Sequence, residues 1–292
     1  MKLSKLGSAL VATSLLLGAT QAQAGAVLNS VLVGNQINTL QDSDAERVLR
    51  GGVSQTFGAF AVGDVIQSAV RFDTVNGTLV PNAFSSFTYQ VTAIIELKIA
   101  AIIDTGIASG TGFGNLQQLV FTTTGNLGTN VFANLYERTD TSAGTNVNFS
   151  DTAAATLSHI GAQTLIASLG LGEADDFWTS LVINDIGTIS TAISGSSQAA
   201  SGTYGLTVLA NPGAINIKTN GIISGSDGKL HDVVGSTSIF TCETGVNCRL
   251  GEWIASSNAD ARFFVVPEPS DISLMGLGLL GMGAVLRKRK SS

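Results

Sequence analysis

Phe87-Thr88-Tyr89-Gln90-Val91-Thr92-Ala93-Ile94-Ile95-Glu96-Leu97-Lys98-Ile99-Ala100-Ala101-Ile102-Ile103 decides the fold class of this chain. Every odd position from Phe87 to Ile103 is apolar, while Thr88, Gln90, Thr92, Glu96 and Lys98 stand at even ones. A helix would scatter these residues around its circumference; a period of two puts them on one face of a long strand. Ile94, Ala100 and Ile102 add apolar surface to the second face, which predicts partial burial on both sides toward the strand's end. Glu96 beside Lys98 reads as solvent-facing.

Working outward, Val65 to Thr74 alternates in the same way and runs into Asn76-Gly77, a dipeptide suited to a tight hairpin turn returning through Thr78-Leu79-Val80. Further strands are expected at 118–123, 130–137, 180–186, 202–210, 214–218, 236–241 and 262–266, with a turn at Asn211-Pro212-Gly213. The segment 151–169 is Ala/Leu-rich, begins with capping residues and stops at Gly170, so it predicts an α-helix. Ser43 to Leu49, closed by Gly51-Gly52, predicts a shorter helical turn. No repeat of solenoid length is visible. Many short strands with one inserted helix predict a mainly β, antiparallel β-sandwich-like body.

Composition sets limits on function. Hydrophobic residues make up 44% of the 292, too many for a disordered stalk. Six of the 15 basic and two of the 21 acidic residues fall in the terminal segments, leaving the body nine against 19 and a formal charge of about −10. Such acidity argues against electrostatic binding of nucleic acid or anionic lipid. It suits a soluble coat, bridging through divalent cations, or contact with neutral or cationic glycans.

The two ends carry a different kind of information. Met1-Lys2-Leu3-Ser4-Lys5, an apolar stretch to Gly18, then small residues with Ala22 and Ala24 at −3 and −1 form a secretory signal peptide cut after Ala24. At the other end stand Pro267-Glu268-Pro269, an uncharged run from Ile272 to Leu286, and Arg287-Lys288-Arg289-Lys290. Fifteen residues give roughly 22 Å of helix against a hydrocarbon core of ~30 Å, a marginal span. The four terminal cations favour it by stopping translocation and staying on the cytoplasmic side. The expected organisation is thus a signal at 1–24, an exported β-rich domain at 25–266 and a tail at 267–292.

Tripeptide, short apolar span and basic end, in that order, resemble the PEP-CTERM sorting signal. The resemblance covers only the last 26 residues or so. It implies a Gram-negative bacterium, passage across the inner membrane, transient anchoring by the 272–286 helix, and processing by signal peptidase and an exosortase. It further implies a place at the cell surface or in an exopolysaccharide matrix.

Candidate chemistry in the body is sparse. Cys242 and Cys248, the only cysteines, suggest a small-loop disulfide in an oxidising compartment; a metal or redox pair is the rival, without a nearby histidine or Cys-x-x-Cys spacing. His159 shares a polar helical face with Thr152, Thr156 and Gln163, which reads as solvated. His231-Asp232 invites a catalytic reading, but neighbours in a strand point to opposite faces, and no Gly-x-Ser-x-Gly elbow is present. Glu46, Glu96, Glu137, Glu173, Glu243 and Glu252 are dispersed, and a glycosidase pair would need two of them to meet across a cleft. Glu173-Ala174-Asp175-Asp176 could offer oxygens to Ca²⁺, though without the Asp-x-Asp-x-Asp-Gly order; a solvated acidic loop is the plainer reading. Trp178 and Trp253 would stack on sugars if exposed and fill the core otherwise. No cofactor motif is present. These features point to a non-enzymatic surface or matrix protein acting in adhesion, aggregation or biofilm and floc formation. The alternatives are a glycan-binding module and, further off, a carbohydrate-active enzyme.

Overall fold

From residue 90 onward the alternation read at 87–103 is realised as one long strand, Gln90–Ala108, within a computed structural model that describes residues 27–55, 60–79, 90–108, 115–138, 147, 149, 152–183, 198–241, 252–253 and 255–266. Among these residues the strands are β1 (Gln36–Arg50), β2 (Val53–Gln55), β3 (Val65–Val75), β4 (Thr78–Leu79), β5 (Gln90–Ala108), β6 (Asn115–Thr122) and β7 (Val131–Arg138). They continue as β8 (Thr164–Gly170), β9 (Phe177–Ile183), β10 (Gln198–Ala210), β11 (Ile222–Ile223), β12 (Leu230–His231), β13 (Val233–Thr241) and β14 (Ala255–Val265). The helix α1 (Ala153–Gly161) lies between β7 and β8.

The molecule is mainly β, antiparallel throughout its sheets, with one α-helix among the described residues. The pairing path differs from the two facing sheets of a sandwich. β1 pairs β3, β3 pairs β5, β13 pairs both β10 and β14, and β14 returns to β1. Between β5 and β10 the wall is made of broken strands. β6 and β7 lie end to end along one edge of β5; β9 and β8 lie end to end along one edge of β10. β6 pairs β9, and β7 pairs β8. The circuit therefore closes: eight staves, adjacent in space in the order of the chain, form an up-and-down barrel.

Each stave turns alternate residues inward. Leu40, Val70, Leu97, Phe121, Leu206 and Phe263 pack the lumen. At mid-height Trp178 stacks on Tyr204 with centroids 4.4 Å apart, and Phe132 meets Trp178 edge-on at 5.8 Å. On the outer wall Ala45, Ala69 and Ile94 form a second apolar patch, buried under Ala153 and Ile160 of α1 together with Phe149 and Trp253.

Three sequence expectations are corrected here. The expected helix at 151–169 ends at Gly161, and Thr164–Gly170 is a strand. An apolar run that short fits either state locally, and pairing with β7 and β10 decides it. Ser43–Leu49 is the middle of β1 and not a helical turn, because its acidic residues at 44 and 46 point into the lumen instead of the solvent. The expected strand at 214–218 is reduced to a single bridge between Ile217 and Val265. The Asn76-Gly77 turn is as read, with both residues at positive φ (53° and 74°) joining β3 to β4. The signal peptide with Ala22 and Ala24, Cys242 and Cys248, Pro267-Glu268-Pro269, the 272–286 span and the basic end at 287–290 lie outside the described residues. Among the described residues no helix is long and apolar enough to cross a membrane.

Candidate functional site

Two polar constellations stand out, one inside the barrel and one on its outer wall. Inside, β1 presents Asp42, Asp44 and Glu46 at alternate positions, hence on one face. Asp44 and Glu46 are 2% and 7% exposed, and Ser68 Oγ donates to Glu46 Oε1 at 3.0 Å. Asp42 Oδ1 accepts the Ala259 N–H at 2.6 Å across the β1–β14 seam, while its Oδ2 is shut off from solvent without a hydrogen-bond partner. Burial pushes the Asp42 carboxyl well above the ordinary carboxylate range; the Ala259 N–H opposes this, and the nearby charges of Glu46 and Asp73 add to it. Burial likewise pushes the Tyr204 hydroxyl far up, and it donates to the Asp260 carbonyl at 2.9 Å.

Asp44 and Glu46, together with Ser68, Trp178, Ser180 and Thr237, line a cavity of about 20 Å³. That is room for a water molecule and far too little for a sugar ring. Two carboxylates do meet here, but in a packed interior and not across a cleft.

The outer constellation is centred on His231. Its ring is 1% exposed. Nδ1 lies 3.2 Å from Asp176 Oδ1, and Nε2 lies 3.1 Å from Asp227 Oδ2. Phe177 meets the ring edge-on at 5.7 Å. The ring rests on β10 at Gly205, where any side chain would bring its Cβ within 2.6 Å of the imidazole. Only glycine leaves that seat open. Asp232, in the bend between β12 and β13, does not engage the ring and instead accepts the backbone N–H groups of Val208 (2.9 Å) and Asn220 (2.6 Å). His231 and Asp232 are therefore not a dyad.

The acidic segment 173–176 supplies half of this arrangement. Asp176 Oδ2 accepts the N–H groups of Gly172 and Glu173, both at 2.7 Å. Asp175 lies 3.8 Å from Lys229 Nζ, and Glu173 Oε1 accepts from Asn220 Nδ2 at 3.2 Å. These carboxylates are engaged with protein donors. Among the described residues no group of three or more His, Cys, Asp or Glu side chains is arranged to hold a metal ion.

Several other candidates sit differently from the sequence reading. Glu96 is 5% exposed and not solvent-facing: Gln67 and Thr124 donate to it at 2.6 Å each and Asn126 at 2.9 Å. The loop between β6 and β7 folds over that face. The helical face of His159 is only half solvated, because Thr156 is fully buried and Gln163 accepts from Thr92 Oγ1 at 2.8 Å. Glu252 joins Arg47 (2.9 Å) to the first N–H of α1 at Ala153 (3.2 Å). Glu46 and Glu137 are buried, and Glu243 lies outside the described residues. Trp178 and Trp253 are 5% and 2% exposed, so neither offers a platform for a sugar.

Comparison of the chain with protein-family models, with curated proteins and with solved structures finds no match. Two functional candidates escaped the sequence reading. Asp42 and Asp44, which make a lumen ladder with the already named Glu46, carried a signal, period-two acids flanked by Leu40 and Val48, that resembled a helical turn by composition. Asp227, four residues before His231, carried none beyond its place in the Ser-Asp-Gly turn.

Proposed function

We propose that this chain is an exported, non-enzymatic protein of the cell surface or exopolysaccharide matrix, sorted by an exosortase and serving in adhesion, aggregation or floc formation. The observation that carries this reading is the order of parts at the C-terminus: Pro267-Glu268-Pro269, the uncharged run 272–286, and Arg287-Lys288-Arg289-Lys290. The 272–286 segment holds the precursor in the inner membrane until the tail is cut. A packed lumen and two buried tryptophans favour a scaffold over a lectin-like body, since neither indole is exposed to stack on a sugar. Contact with polysaccharide then falls to exposed carboxylates such as Asp104 and Glu252, directly or through divalent cations.

Deleting the gene and scoring cell aggregation together with matrix-bound protein tests the role. Loss of aggregation is expected; unchanged aggregation, with the protein diffusing freely from wild-type cells, refutes it. Intact-mass measurement of the mature protein tests the route, with a new N-terminus at Gly25 and loss of the tail near Pro267 as the expected result.

A further inference from the structure

Between β10 and β13 the chain leaves the barrel wall as an excursion, residues 211–232, that includes the β11–β12 hairpin. Its near end is tied by the Gly213 N–H to the Ile166 carbonyl and the Lys218 N–H to the Phe264 carbonyl. Its far end is tied by Asp232, which accepts the Val208 N–H of β10, and by His231, which alone reaches over β10 to Asp176. We propose that His231 is the pin of a proton-controlled latch that clamps this excursion across β10 to the loop between β8 and β9.

Asp176 accepts two N–H groups on Oδ2 and turns its other oxygen to His231 Nδ1. Asp227 Oδ1 accepts the Lys229 N–H at 3.0 Å, and its Oδ2 faces the other ring nitrogen. Both ring nitrogens therefore face acceptors, and only the doubly protonated imidazolium donates to both. Removal of one proton leaves a nitrogen lone pair against a carboxylate. The charged groups nearby sharpen the effect: Glu173, Asp175 and Asp176 from the β8–β9 loop, and Asp227 and Asp232 from the excursion, stand against Lys229 and the ring. Phe177 and Gly205, the barrel residues beneath the ring, bring no charge. The neutral ring would leave Lys229 the sole cation of this set.

The acid limb is protected. Desolvation alone would raise the Asp227 carboxyl, but the Lys229 N–H, the His231 ring and the Ser224 hydroxyl outweigh it and hold it below the ordinary carboxylate value. A depressed carboxyl contributes stability that is present above its unfolded value and lost only as pH falls through the folded one. The latch therefore holds while both ring nitrogens carry protons and releases when one of them is lost.

Native-state hydrogen exchange on the mature protein tests this, following the amides of Asn220, Ser224 and Gly228 against those of β1 and β3, with intrinsic rates divided out. From about pH 5.5 to 8.5 the protection of the excursion relative to the barrel should fall roughly ten-fold or more, the worth of one charge-assisted hydrogen bond. His231→Gln should give low protection at both pH values and no step. Asp227→Asn, in a partly exposed turn that folding tolerates, should shrink the step while leaving the barrel amides unchanged. An undiminished step in both variants, or no step in the wild type, overturns the proposal.

Discussion

Replacing Asp42 with Asn separates the electrostatics of the lumen from its packing. The two side chains are nearly isosteric, and an asparagine oxygen can keep the 2.6 Å bond from Ala259 N–H that stitches β1 to β14. What disappears is a carboxyl held, by burial and by the charges of Glu46 and Asp73, well above its ordinary value of 3.8. A group whose pKa is raised by folding contributes fully below its unfolded value, and that contribution is lost as pH rises toward the folded one. The wild type should therefore lose stability relative to Asp42→Asn at up to about 1.4 kcal/mol per pH unit, beginning near pH 4 and continuing upward. Above the folded value the difference should level off with the variant favoured. Urea unfolding of both proteins at intervals of about one unit from pH 4.5 to 7.5 measures this, because titrating groups that do not interact with Asp42 cancel in the difference, leaving Asp42 and its coupling to Glu46 and Asp73. Parallel curves, or a variant that weakens as pH rises, would refute the reasoning.

Trp178→Ala should cost about 3–5 kcal/mol, since the indole is packed between Phe132 and Tyr204 at the centre of the lumen; a urea midpoint within error of wild type would show that the barrel is not packed there as described. Gly205→Ala should cost about 1–3 kcal/mol by driving a methyl into the His231 ring. That cost should shrink in a His231→Ala background, and a double-mutant cycle showing simple additivity would exclude the contact.

What the sequence made legible was local. The alternation of β5 and the Asn76-Gly77 turn are written in consecutive residues, and both strand and turn follow from them. Closure is not local: β1 and β14 come from opposite ends of the described chain, and nothing in either strand names the other. With the pairing of first to last strand unseen, two facing sheets were the natural expectation. The misreading of 43–49 has a definite cause: the inward-facing Glu46 is satisfied by Ser68 of a neighbouring stave, a partner that no local pattern announces. Glu96 misled in the same way, its partners Thr124 and Asn126 arriving from a loop 28 and 30 positions away. His231 was visible as a residue but not as a site, because Asp176 reaches it only through the folding of the β8–β9 loop over β10.

Closure of the ring by its terminal staves also bears on how the molecule is made. A nascent chain emerging from its N-terminus can assemble β1, β3 and β5 early, since these neighbours follow one another in sequence. It cannot cap the flank of β1 from Gln36 to Glu46 until Ala255–Val265 has emerged, so until then all but the β2-paired end of that flank is a bare template for sticking to other chains. The wait is long because the missing partner is the last strand, and topologies that depend on such distant pairing fold slowly. A circular permutant that covalently joins β14 to β1 and opens the ring at an exposed turn would remove the wait. It should refold faster and depend less on chaperones, at little cost to the finished barrel.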